Sequence, residues 1–185
     1  MSNTATNVSA AKPKVSGGIW RAPIGTALPT DAVTALNEAF KCLGYVSEDG
    51  VTNSNSPESE SVKAWGGDEV LTTQTEKKDT YKYKLIECLN LDVLKAVHGS
   101  DNVTGTLDAG LTVKSNAKEQ EDACWVIEMI LRGGVLQRIV IPDGKISEIG
   151  DIVYKDDEPV AYDLTVSAMP DSAGNTAYKY FKSAA

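Results

Sequence analysis

The sequence predicts a mainly β protein of the α+β kind: an antiparallel β-sandwich or partly closed barrel, with one flanking α-helix and a second short helix. Three observations carry this. Several segments alternate apolar and polar residues with period two, which marks strands with one buried and one wet face. Two further runs are almost continuously apolar and bounded by glycines and a proline, as central strands are. Only two stretches repeat apolar residues at spacings of three and four. With 185 residues, 42% of them apolar, the chain has the size and core of one domain.

Residues 1–17 are small and polar and read as a flexible N-terminal arm, with 18–185 as a single domain. The opening MSNTATNVSAAKPKVSGG has no apolar run of the kind a secretory signal carries, so none is expected. PTDAVTALNEAFKCLG follows as the flanking helix. Thr30 or Asp31 is its cap, Val33, Leu36, Phe40 and Leu43 its apolar stripe, and Gly44 its stop. From Ser47 to Ser61 the chain has almost nothing to bury. Lying between a helix and a strand, it reads as an unusually long polar loop, about 44–67.

TYKYKLIE directs Tyr81, Tyr83 and Leu85 one way and Lys82 and Lys84 the other. NLDVLKAVHG is the second helix, capped by Asn90 and ended by Gly99. CWVIEMIL and LQRIVIP are the central strands, with Gly133-Gly134 as the turn between them. In AYDLTVSA, Tyr162, Leu164 and Val166 oppose Asp163, Thr165 and Ser167. IPDGKI and SAGNT carry tight-turn residues, and KDDEP makes a charged hairpin tip.

Little here points to catalysis. His98 is the single histidine, and in the last turn of a helix it is expected to cap the dipole as a cation. Cys42, Cys88 and Cys124 form no CxxC pair and read as reduced, buried thiols. The adjacent acids Glu48-Asp49, Asp68-Glu69 and Asp156-Asp157-Glu158 lie in turns or alternate across strands, so no carboxylate pair converges. No nucleophile, metal or phosphate-loop motif occurs, so neither an enzyme nor a cofactor site is expected. A net charge of −8 argues against gripping nucleic acid through its phosphates, and no run is long and apolar enough to cross a membrane. Trp125 lies in a core strand. Trp20 and Trp65 flank polar segments and anchor them either to their own domain or to a partner chain.

Taken in order, GGIWRAPIGTALPTDA, LGYVSEDGV, WGGDEV, KYKLIECLNLDVLKAVHG and RIVIPDGKI resemble the major tail (tail tube) protein of long-tailed, siphovirus-type bacteriophages, from about Gly17 to Tyr180. The resemblance implies a non-enzymatic virion protein made in the bacterial host cytoplasm, without a cofactor. It implies six copies to a ring, and rings stacked into a tube through which DNA passes without specific binding. Tail terminator, distal tail and tape-measure proteins are the implied partners. On that basis residues 44–67 are expected to be an inter-ring loop, mobile in the free chain. Trp20, Arg21, Tyr45, Glu48, Asp49, Glu58 and Trp65 are the expected contacts between subunits or rings. Glu69, Asp151 and Asp163 are the expected lumen-lining residues, drawn from hairpins at Glu69–Glu87 and Ile146–Ser167. Two other classes compete: a monomeric carbohydrate- or surface-binding sandwich using Tyr81, Tyr83, Tyr178 and Tyr180, and a head decoration or connector ring that does not stack.

Overall fold

A computed structural model describes residues 3–183. Eleven strands and one α-helix follow in the order β1 (Lys12–Pro13), β2 (Ile19–Pro23), β3 (Lys41–Cys42), β4 (Val46–Lys63), β5 (Glu69–Leu85), α1 (Leu91–His98), β6 (Val103–Thr106), β7 (Gly110–Val113), β8 (Ala123–Ile130), β9 (Leu136–Ile149), β10 (Tyr162–Met169) and β11 (Tyr178–Lys182). Nine of them form one antiparallel sheet in the order β3-β2-β8-β9-β10-β5-β4, with β1 added to β8 and β11 to β9; β6 and β7 pair separately.

The sheet is open, but the chain itself spans its ends. β3 lies at one end and β4 at the other, and only Leu43–Tyr45 separates them. Leu43 N donates to Ile19 O at 2.9 Å on the β2 side, and Ile86 N donates to Tyr45 O at 3.1 Å on the β5 side. Gly44 makes the crossing at φ +72°, and a Cβ there would stand 2.0 Å from the Glu87 carboxyl carbon. That carboxylate is held in place: Oε1 accepts from Tyr45 N and Oε2 from Asn90 Nδ2, both at 2.9 Å.

Each face of the central strands is buried. Trp125 and Ile127 of β8 point into the main core with Ile19, Tyr81, Tyr83, Leu85, Leu164 and Val166. Helix α1 closes this core with Val93, Leu94, Ala96 and Val97, capped as expected by Asn90 Oδ1 accepting from Asp92 N at 3.0 Å. Cys124 and Val126 face the other way, into a smaller cluster with Ala22, Phe40 and Val140. This double burial is why CWVIEMIL shows no alternation.

The flanking helix expected over 29–44 does not form. Residues 31–34 are a run of bends, and only the two-residue β3 follows. Asp31 Oδ1 accepts from the amides of Val33 and Thr34 at 2.7 and 2.6 Å, as a cap would. The carbonyls of Asp31 and Thr34, which a helix needs as acceptors, instead take Arg138 Nη1 at 2.8 and 2.9 Å. Arg138 and Glu128 are buried, and Glu128 Oε1 accepts from Arg138 Nη2 at 2.6 Å and Nε at 3.0 Å. A buried ion pair is compensated only when its remaining donors find partners, and these two carbonyls satisfy the third guanidinium nitrogen contact. The apolar stripe is divided accordingly: Phe40 joins the small cluster, Leu43 the main core, and Val33 stays exposed.

The IPDGKI turn, the Glu69–Glu87 hairpin, the cationic role of His98 and the burial of Cys42 and Cys88 are four further expectations that change. IPDGKI is not a turn, because residues 141–146 run inside β9. Gly144 is there for space: a Cβ would meet the Trp125 ring at 2.8 Å, and Trp125 Nε1 donates to Gly144 O at 3.1 Å. Glu69–Glu87 is not a hairpin, because Glu69–Leu85 is one strand paired with β4. The described part of the N-terminal segment lies along β8, through the Lys12 and Pro13 pairing and Lys14 Nζ at 3.0 Å from Glu128 Oε1. His98 packs edge-on against Tyr162 with ring centroids 5.9 Å apart, and burial lowers its pKa, which disfavours the cationic cap. Cys124 is buried as expected, whereas Cys42 and Cys88 are half-buried; all three are free thiols. SAGNT and KDDEP do lie in connections, after β10 and after β9 respectively.

Gly44→Ala combines left-handed backbone with a clash, so unfolding free energy should fall by about 1–3 kcal/mol, read as a lower urea midpoint. For His98, the unfolded chain binds the proton more readily than the folded one. Stability present above the ordinary imidazole pKa is therefore lost as pH falls through the folded value. Urea midpoints compared across about pH 7 to pH 5 should drop less in His98→Phe than in the natural chain.

Candidate functional site

The segment expected as a polar loop is the outer strand of a long hairpin. β4 and β5 pair from Val46–Leu85 at the base to Lys63–Glu69 at the tip. Ala64–Asp68 form the turn, with Ala64 N donating to Asp68 O at 2.7 Å and Gly67 N to Ala64 O at 3.0 Å. Every residue from Ser54 to Lys78 is exposed, so the outer part is an arm projecting roughly 30 Å beyond the core at the usual rise per residue. Its backbone groups find partners across the ribbon, which lets a sequence without a core face form strands. Glu58 and Glu76 stand directly opposite each other, and Lys78 Nζ lies 3.5 and 3.1 Å from their carboxylates. Glu69 accepts from Ser61 at 2.5 Å and Thr72 at 2.7 Å, and these bonds lower its pKa.

Where the arm leaves the core, its root is tied to the C-terminal region. Asp79 is 5% exposed; Oδ1 accepts from Asn53 Nδ2 and Oδ2 from Thr176 Oγ1, both at 2.7 Å. Lys179 Nζ donates to Asn53 Oδ1 at 3.1 Å. Tyr81, next along the same face of β5, is fully buried; burial and then the Asp79 charge push its hydroxyl up to about 12.

The other face of β9, β10, β5 and β4 is wet and rich in hydroxyls. Lys82 and Lys84 of β5 stand beside Thr165 and Asp163 of β10, and Thr52 of β4 lies opposite Lys82. Lys82 Nζ is 3.4 Å from Asp163 Oδ2. Ser167 Oγ donates to Ser147 Oγ at 2.9 Å, and Ser147 Oγ to Thr165 O at 3.2 Å. The face is mixed in charge rather than acidic. It ends at the outer edge of β4, which pairs with β5 alone among the described residues and so leaves its other side without a strand.

The expected site residues are scattered over this frame. Of the lining candidates, Asp163 lies on the wet face, Asp151 just past β9 in the connection to β10, and Glu69 at the far end of the arm. Among the contact candidates, Trp65 stands fully exposed in the arm's turn, Glu58 midway along the arm and Tyr45 exposed at the crossing. Glu48 and Asp49 occupy the register shift between Val46 and Val51 at the arm's base. Trp20 and Arg21 are held by their own domain. Trp20 joins the small cluster and donates to Gly17 O at 3.3 Å, and Arg21 lies 5.7 Å over the Trp125 ring, its pKa lowered by burial. The four tyrosines do not share a face: Tyr81 and Tyr83 are core, whereas Tyr178 and Tyr180 stack at 6.3 Å over the small cluster. Sequence reasoning placed Thr165 and Ser167 on the wet face but missed Ser147 beside them and the strand character of the arm. The alternating Ser and Asn of NSNSPESES and the Thr-rich LTTQT were the available signals.

A family profile described as "Phage tail tube protein" matches residues 4–184. No curated protein matches the chain.

The exposed Lys82–Asp163 pair holds little folding energy, so Lys82→Ala should change stability by less than about 0.5 kcal/mol. Asp79→Ala strands two donors at the arm's root and should cost about 1–3 kcal/mol. Urea unfolding of both variants side by side measures the contrast.

Proposed function

The chain belongs to the phage tail tube protein family, and from that premise we propose that six copies close into a ring, that rings stack into the tube of a siphovirus-type tail, and that DNA passes through the bore. As a member of that family it is a structural tail protein of the virion. The observation that carries the finer reading is the unpartnered outer edge of β4, bordering a polar face four strands wide. An open edge of this length is an aggregation liability unless a neighbour covers it. A ring of identical copies covers every edge with the next subunit and joins the polar faces into one continuous lining.

That lining suits passage rather than capture. Phosphate binding depends on free Lys and Arg, and here Lys82 is matched by Asp163 and Lys145 by Glu119, which leaves Lys84 as the one exposed Lys of the face without an ion pair among the described residues. Hydroxyls of Ser147, Thr165 and Ser167 fill the space between them. On this reading the lining is mixed in charge, and of Glu69, Asp151 and Asp163 it is Asp163 that lies on this face. The arm, clear of the core along its whole outer part, supplies the contact between rings. Tail terminator, distal tail and tape-measure proteins then meet the tube at its ends and in its bore, and no enzymatic step is involved. The separation of the four tyrosines disfavours a sugar-binding surface.

Replacing Ser54–Lys78 by a two-residue turn removes the stacking arm but keeps the base of β4. Negative-stain micrographs should show closed rings without filaments, where the natural chain at high concentration gives filaments. Filaments from the truncated chain, or no oligomer from the natural one, would overturn the proposal.

A further inference from the structure

We propose that the arm tip of one copy seats in a cavity at the arm root of a second copy, with Trp65 as the inserted side chain. The inference rests on the stacked-tube reading and deepens it by naming the contact.

The receiving cavity, about 580 Å³, opens where the core face of β5 runs out onto the arm. Asn55, Lys77, Asp79 and Tyr81 line it from the hairpin, and Pro170 and Thr176 from the connection between β10 and β11. Two polar groups in its wall are incompletely compensated, one in charge and one in hydrogen bonding. Asp79 is almost wholly buried yet forms no ion pair among the described residues, its carboxylate meeting only the neutral donors Asn53 and Thr176. Tyr81 is fully buried, and its hydroxyl has no hydrogen-bond partner. Buried polar groups left this way are costly, and a donor brought in on an apolar body relieves them.

The arm tip carries such a group. Trp65 is fully exposed. Its indole joins a broad apolar surface to a single N–H donor, the combination enriched where chains meet. Charge agrees: Asp68, three residues on and exposed, has no ion pair among the described residues, and neither has Lys77 in the cavity wall. Tip and root lie at opposite ends of one paired ribbon, so a chain with that pairing intact cannot fill its own cavity. A second copy displaced by about one arm length presents its root to the first copy's tip. Such a contact joins unlike surfaces and repeats without closing, as stacking requires.

Iodide quenching of tryptophan fluorescence reads Trp65 directly, because Trp125 is buried and Trp20 partly so. In assembled tubes of the natural chain the exposed component should be protected severalfold relative to free subunits. Trp65→Phe should abolish the difference. Asp68→Lys should raise the protein concentration needed for tubes by about tenfold, the effect of one lost charge contact. Adding Lys77→Glu should restore it. All three positions are exposed on the arm, so these variants keep the fold. Tubes in which Trp65 stays fully quenchable, or a double variant no better than Asp68→Lys, overturn the seating while leaving the tube reading intact. Protection that appears only when another tail protein is added assigns the cavity to that partner and equally overturns it. Failure of the natural chain to form tubes at all removes the tube reading, and the seating with it.

Discussion

The Glu87 carboxylate is the constraint on which the arrangement turns. One oxygen fixes the amide of Tyr45 at the crossing between β3 and β4; the other fixes Asn90, whose own side chain caps α1. A single side chain thus joins the sheet's two ends, the base of the arm and the helix that lids the core. It also explains Gly44, since no larger residue fits between the crossing and the carboxylate. The direction in which the hairpin leaves the body follows from this junction, and Asp79, bonded to Asn53 and Thr176, repeats the restraint farther out.

A second polar node, Arg138 with Glu128, holds the opposite side. It is buried, so its value for stability depends on every donor being used. Lys14 from the N-terminal segment and the carbonyls of Asp31 and Thr34 complete it. The node therefore decides how two otherwise irregular segments lie against the sheet. It also shows how a tertiary contact overrides a local preference: the helical spacing of Val33, Leu36 and Phe40 is real, but the backbone acceptors a helix needs are taken by a guanidinium.

This is why the core strands and α1 were legible in the sequence while the flanking helix and the arm were not. Period two in TYKYKLIE and AYDLTVSA, the continuous apolar run of CWVIEMIL and the Asn90 to Gly99 caps each report on burial or on local hydrogen bonds, which the sequence carries directly. β4 beyond Asn53 buries nothing, so it leaves no hydrophobic pattern; its order comes from pairing with β5, whose partner residues are not marked by any apolar period. Gly144 misled for a related reason, as PDGK has the composition of a turn but its glycine answers to the Trp125 ring. Of the expected site residues, those whose role depends on exposure, Trp65 and Glu58, were found in the open. Those whose surroundings are set by tertiary packing, Trp20 and Arg21, were not.

The distribution of charge follows the same division between what the chain completes alone and what it leaves to neighbours. Net charge is −8, and many of the acids gather in connections, at Glu119, Glu121 and Asp122 and at Asp156, Asp157 and Glu158, while Glu148 and Asp163 stand on the hydroxyl-rich face. A surface that must let a polyanion slide has two failure modes. Unpaired cations hold the phosphates, and a dense acidic ring raises a barrier to entry. In the proposed ring, pairing Lys82 with Asp163 and spacing them with Ser and Thr limits both, and Lys84 is left as an exposed cation without an ion pair among the described residues. The surplus negative charge on the outer connections is of the kind that opposes unspecific association between chains. On the proposed ring reading, the surplus acids and the lining face are thus different residues on different surfaces, so charge on one can be altered without disturbing the other.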